Sequence, residues 1–221
     1  MFENFDIAKI IIAIGALIIA IVGHELMHGL SAYHYGDNTA KHYGRLTINP
    51  ISHIDPIGTL ILPLMLFLID APFLFGWAKP VPVNTEVVYK NGGYNALTVV
   101  ALAGISYNFL VALLVVMIWN FLPPVWLDDM LGTFLEQLLL INVVLAVINL
   151  LPFPSFDGAH ALCYQLSRFK LYAIPRLYER IGMMGGTLAF MLCLAFEPTR
   201  QILFVPVQAV LAFLLHIGTL I

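Results

Sequence analysis

Residues 7–28 read IAKIIIAIGALIIAIVGHELMH, an apolar run carrying only Lys9 that ends in His24-Glu25-Leu26-Met27-His28. About 20 mostly apolar residues suffice to cross a bilayer as a helix, so the run predicts a first membrane span over 7–30. The preceding Met1–Asp6 hold Glu3 and Asp6 where a signal peptide would start with positive charge, and no small-residue cleavage site follows. The run is therefore read as retained, not removed. Three ionisable groups at the end of a span are costly in lipid and normally face a cavity or a partner. On a helix, the four-residue spacing turns both imidazoles to one side, where they can hold one metal ion while the intervening carboxylate reaches a water. The plainer reading is a pair of capping histidines at the interface beside a solvated Glu25.

The rest of the chain repeats the apolar theme. Hydrophobic residues make up 61% of the 221 and charged ones 10%, whereas soluble domains carry about 25% charged residues. That leaves too little polar surface to coat a water-soluble globule, and the net charge of −3 gives no reason to invoke nucleic acid. Further spans are expected over 97–122, 131–152, 181–196 and 201–219. The 57–76 stretch is apolar but interrupted by Pro63, Asp70 and Pro72. It predicts a hairpin that enters and leaves on one side. That arrangement gathers Lys41, Arg45, Lys79, Lys90, Arg168, Lys170, Arg176 and Arg180 on one face, with Asp128, Asp129 and Arg200 on the other. The basic face marks the cytoplasm and sets the N-terminus outside. The expected fold is one all-α polytopic membrane domain over 1–221. It would hold about five transmembrane helices, a re-entrant hairpin and a small cytoplasmic-side β element over 41–48, with 77–95 as a second extended segment. Residues 167–181 mix basic and apolar side chains and predict a helix lying on the cytoplasmic interface. Cys163 and Cys193 show no metal spacing and read as small buried hydrophobes.

Two histidines do not complete a catalytic zinc site, which takes three protein ligands and leaves one position open. Asp157, in Asn149-Leu150-Leu151-Pro152-Phe153-Pro154-Ser155-Phe156-Asp157-Gly158, is the strong candidate for a third. The prolines end the 131–152 span, and irregular backbone at membrane depth is tolerated only where it lines a cavity or protein. Taken alone, Asp157 would read as the cap of a helix starting near Gly158. Topology favours the ligand, because the first and 131–152 spans both run inward and end at the same depth.

The HExxH at 24–28 and the NxxPxPxxDG at 149–158 together resemble the site-2 protease family of intramembrane zinc metalloproteases. Ala103-Gly104-Ile105-Ser106-Tyr107-Asn108 is similar to that family's AGPxxN segment, with Ile105 in place of proline. Segments 49–56 and 76–84 resemble its short prokaryotic branch, and no PDZ- or CBS-like module is expected. The resemblance implies His24, His28 and Asp157 as ligands to one zinc ion and Glu25 as the catalytic carboxylate. Asn149 and Asn108 match family asparagines near the site, where an amide can bind substrate backbone or an oxyanion without adding charge; the alternative for each is hydrogen bonding between helices. The implied function is hydrolysis of transmembrane segments in single-span membrane proteins, such as membrane-bound regulators, anti-sigma factors or signal peptide remnants. The implied location is the cell membrane, with the site near its cytoplasmic side. A helical substrate hides its carbonyls, so pairing of an unwound substrate along 41–48 is expected. The alternatives are a zinc protease of the membrane surface and a non-enzymatic scaffold or metal transporter. The sequence does not fix the oligomeric state.

Overall fold

The computed structural model describes residues 7–73, 75–127 and 129–218. Glu3, Asp6, Asp128 and the last residue of the expected 201–219 span lie outside them. The long helices fall where the apolar runs stand: α1 over Ile7–His34, α4 over Thr85–Phe121, α6 over Met130–Asn149 and α9 over Glu197–Gly218. These four are long and apolar enough to cross a membrane, with window mean hydropathies of 2.4, 2.4, 2.1 and 1.9. The other α-helices are α2 over Thr39–His42, α3 over Leu62–Leu68, α5 over Pro124–Leu127, α7 over Asp157–Arg168 and α8 over Ala173–Ala195. The chain is a multi-pass membrane protein of helices.

The central element is α4, which packs on α1, α6, α7 and α9. Its core with α1, α6 and α9 includes Ala16, Ala112, Val116, Leu139, Val143 and Val207. The fully buried Ala16, Ala20, Ala32, Ala112 and Ala146 let helix backbones approach closely, as membrane interfaces require. Large apolar side chains such as Ile11, Ile14, Leu110, Phe121 and Phe213 point outward. That inverts a soluble protein and suits a lipid solvent.

Two helices are broken internally. At Gly93, φ is 65° and ψ −158°, so α4 starts with a short arm before its apolar length. At Gly182, φ is 66° and ψ 172°, a conformation that glycine alone adopts without strain. The basic, amphipathic part of α8 therefore ends at 181, where the expected interfacial helix does. The apolar part, 183–195, is only about 20 Å long against about 30 Å of hydrocarbon. Gly186, one turn after the break, packs within the chain: a Cβ there would lie 2.9 Å from Ser155 N and 3.0 Å from Pro154.

The expected β element does not form, and among the described residues there is no strand. Residues 39–42 are helix α2. Asp37 Oδ1 accepts the Thr39 N–H at 2.9 Å at its start. At its end Gly44 N bonds Lys41 O and Arg45 N bonds Ala40 O at 3.0 and 2.8 Å, with Gly44 at φ 64°. This Schellman closure turns the chain where a strand would have run on. The second extended expectation, 77–95, holds no strand either. Pro80 and Pro82 supply no ladder donors, and Asn84 accepts the Glu86 and Val87 N–H groups, opening α4. The 57–76 stretch begins as a π-helix over Pro56–Ile61 and continues as α3. It turns at Asp70 (φ 53°) and comes back to bond Trp77 N to Gly58 O at 3.1 Å.

Candidate metal centre

His24 and His28 project from one face of α1, one turn apart, towards α4 and the start of α7. The Nε2 atoms stand 3.0 Å from each other, and Asp157 Oδ2 lies 3.0 Å from His24 Nε2 and 3.2 Å from His28 Nε2. Among the described residues this is the one group of three His, Cys, Asp or Glu side chains arranged to share an ion. The outer ring nitrogens are occupied. His28 Nδ1 lies 2.7 Å from Val100 O, and since a carbonyl can only accept, the proton sits on Nδ1 and leaves a lone pair on Nε2. His24 Nδ1 lies 2.6 Å from Asn108 Oδ1, giving the same tautomer. Two imidazole lone pairs and a carboxylate oxygen thus converge, an arrangement that repels itself unless a cation sits among them. Tetrahedral ligands at about 2.0–2.1 Å from zinc lie about 3.3 Å apart, close to the separations here. The donor set fits zinc, and the carbonyl and amide behind the rings are the partners that orient ligating histidines.

Asp157 reaches this point because of the backbone that precedes it. Helix α6 ends at Asn149, and the carbonyls of the irregular turn find side-chain donors: His160 Nε2 lies 3.0 Å from Pro154 O, and the Tyr178 hydroxyl donates to Pro152 O at 2.8 Å. Phe156, packed with Phe190 and Leu194, anchors the turn. Asp157 is the first residue of α7, and its oxygen goes to the imidazoles, not to a capping bond. Gly158 serves close approach: a Cβ would lie 2.7 Å from Leu150 Cα and 2.8 Å from Asn149 O. With no cation between them the imidazoles can take up a proton in its place: burial alone would raise the Asp157 carboxyl, but the Nε2–H so gained, hydrogen-bonded to its oxygen, and the positive charge of the ring hold it well below the ordinary carboxylate range.

The remaining candidates divide. Glu25 Oε2 accepts the backbone N–H of Val81 at 2.8 Å, which ties α1 to the segment leading into α4. Asn108 is fully buried and completely committed. Its Oδ1 faces His24, while Nδ2 donates to Ala20 O at 3.2 Å and Asn142 Oδ1 at 2.9 Å. No amide hydrogen remains there for an oxyanion. Asn149 Nδ2 donates to Leu145 O in its own helix at 2.9 Å, which occupies one of its two hydrogens. Sequence reasoning passed over two residues. Gly104 lies against the ligands, and a Cβ there would be 2.5 Å from His28 Nε2 and 2.6 Å from His24 Nε2. Asn142, the one polar residue between Leu138 and Ile148 in α6, is fully buried against Asn108. Its signal was that solitude, since an intramembrane polar group needs a partner. Cys163 and Cys193 are free and half-buried.

Residues 124–194 match peptidase family M50. A Bacillus subtilis (strain 168) protein named "Putative zinc metalloprotease YwhC" is 38% identical over 148 residues, 64% of this chain and 63% of the relative. A Mycolicibacterium smegmatis protein named "Putative zinc metalloprotease Rip2" is 28% identical over 160 residues, 67% of this chain and 58% of the relative. The Mycobacterium tuberculosis (strain Erdman) protein of the same name is 27% identical over 153 residues, 69% of this chain and 56% of the relative. The chain thus spans under two thirds of the length of the curated relatives it matches. No solved structure matches.

Proposed function

We propose, from the match of residues 124–194 to peptidase family M50, that the chain is a membrane zinc metalloprotease of the site-2 type that hydrolyses peptide bonds within transmembrane segments. The observation that carries the reading is the convergence of His24 Nε2, His28 Nε2 and Asp157 Oδ2 within 3.0–3.2 Å, among helices apolar enough to span a bilayer. These three atoms would hold the zinc ion, through α1 and the start of α7. When bound at such a site, zinc polarises a water and a carbonyl oxygen for hydrolysis.

The chain's own residues supply the rest. Glu25 takes the water's proton and returns it to the leaving amine. Its carboxylate holds the Val81 N–H at 2.8 Å, so it exchanges that donor for water before it accepts a proton. Val100 O and Asn108 hold the two imidazoles with Nε2 facing inward. Asn149 offers its uncommitted amide hydrogen to the substrate backbone. In this reading the substrates are single-span membrane proteins. The basic residues from Lys41 to Lys90 and from Arg168 to Arg180 support a site near the cytoplasmic side and an N-terminus outside. The 56–77 excursion re-enters from that same side, and the apolar part of α8 is a fifth, short span, accommodated by local thinning.

The test is cleavage in liposomes of a single-span reporter and of a soluble peptide with the same scissile sequence, by wild type and Glu25→Gln, with zinc content measured in both. Expected are about one zinc per chain in both proteins, and reporter cleavage in wild type alone. Zinc without any Glu25-dependent cleavage would replace the protease by a scaffold or transporter. Preferential cleavage of the soluble peptide would move the reaction to the membrane surface.

A further inference from the structure

We propose that Asn142 is a positioning residue for the metal centre: through Asn108 it fixes which nitrogen of His24 carries the proton, and so keeps the Nε2 lone pair turned towards the ion. The inference rests on the zinc reading above. The chain of contacts runs from Leu138 O to Asn142 Nδ2 at 2.8 Å, from Asn142 Oδ1 to Asn108 Nδ2 at 2.9 Å, and from Asn108 Oδ1 to His24 Nδ1 at 2.6 Å. An amide can be turned end for end with little change of shape, so the direction of such a chain has to be set by something that cannot turn. Here the far end is a backbone carbonyl, which only accepts. Leu138 O therefore takes the NH2 end of Asn142, leaving the oxygen towards Asn108. Asn108 in turn presents its NH2 end to Asn142, helped by Ala20 O at 3.2 Å, and its oxygen to His24. His24 must then donate from Nδ1, and Nε2 is bare.

Both asparagines are fully buried, so water cannot substitute for a missing member. Reversing the chain would make Asn108 a donor to His24 Nδ1. The ring proton would then move to Nε2, where it would occupy the position 3.0 Å from both His28 Nε2 and Asp157 Oδ2. A side chain on the third helix of the cluster, with no contact to the ion, thus selects the ligating form of a histidine on the first.

The experiment uses the full chain in detergent with 15N-labelled histidine, comparing wild type, Asn142→Leu and Asn142→Asp. In Asn142→Asp, a protonated carboxyl keeps the direction, donating O–H to Leu138 O and accepting from Asn108. In Asn142→Leu, only Ala20 O still orients Asn108. Zinc affinity is read by competition with a chelator, and the His24 tautomer from the nitrogen shifts of the zinc-free protein. Expected is an affinity loss of about tenfold or more in Asn142→Leu, with part of His24 converted to the Nε2–H form. Asn142→Asp is expected to stay within about threefold of wild type with the Nδ1–H form retained. Equal affinity and equal His24 spectra in all three proteins overturn the proposal. So does equal zinc loss in both variants with the His24 tautomer unchanged, which would mean a packing role alone. A wild-type chain that binds no zinc, yet loses its Nδ1–H signature only in Asn142→Leu, would refute the metal reading and still support the relay.

Discussion

Replacing Gly104 by alanine is expected to empty the metal centre while leaving the fold standing. The added Cβ would sit 2.5 Å from His28 Nε2, 2.6 Å from His24 Nε2 and 2.7 Å from His24 Cδ2, where ordinary contact begins at 3.4 Å. The two rings must therefore retreat by up to about 0.9 Å, whereas metal–ligand distances tolerate about 0.2 Å. The clashing atoms are the far ends of side chains, so α1 and α4 need not separate. The rings, however, are tethered behind by Asn108 and Val100 O, and withdrawal strains or breaks those bonds. A zinc affinity loss of about 100-fold or more follows, at the upper end of what disturbed supporting residues cause. The assay is zinc per chain by mass spectrometry after equilibration against a graded chelator, with helicity and the zinc-free unfolding midpoint as controls. A Gly104→Ala protein that retains wild-type zinc affinity would refute the geometry argued for the centre.

Two further expectations concern stability. Asp157 titrates below its ordinary value of 3.8 in the folded chain, so the stability it lends is complete above that value and is lost only as pH falls through the depressed one. In zinc-free protein, the difference in unfolding midpoint between wild type and Asp157→Asn should stay level from about pH 6.5 to pH 4.5 and shrink below about pH 4; a difference that vanishes by pH 5 contradicts the hydrogen bonds to the imidazoles. Asp37, 2% exposed, accepts the backbone N–H groups of Thr39 and Asn84 at 2.9 and 2.6 Å, tying the end of α1 to the start of α4. Asp37→Ala should destabilise the fold by about 3 kcal/mol, seen as a lower midpoint in detergent unfolding; an unchanged midpoint would show that water replaces the carboxylate.

What the sequence made legible was whatever depends on a single segment. Ile7–His34, Met130–Asn149 and Glu197–Gly218 announce themselves by long, predominantly apolar runs, and the HExxH spacing becomes one helix face by geometry alone. The 41–48 strand failed because its residues were judged by composition, while Asp37, before it, opens a helical turn and Gly44, within it, closes that turn. The extra length of α4 on its N-terminal side was hidden in the same way. Asn84 starts the helix well before the apolar run, and Gly93 breaks it without ending it. Gly104 and Asn142 stayed silent because their roles exist only between helices. A glycine is required only when something lies against it, and a buried amide gains a direction only from the partner across the interface.

Asp157 opens a twelve-residue helix, whose amide end carries roughly half a positive charge. The one carboxylate among the three ligand atoms would answer that pole as well as a metal. A cation held there sees a carboxylate partly neutralised from behind, and so retains more of its own charge than it would opposite an aspartate on a free loop. The architecture would favour Lewis acidity over tenacity in any metal these residues hold, which would be correspondingly easier to remove.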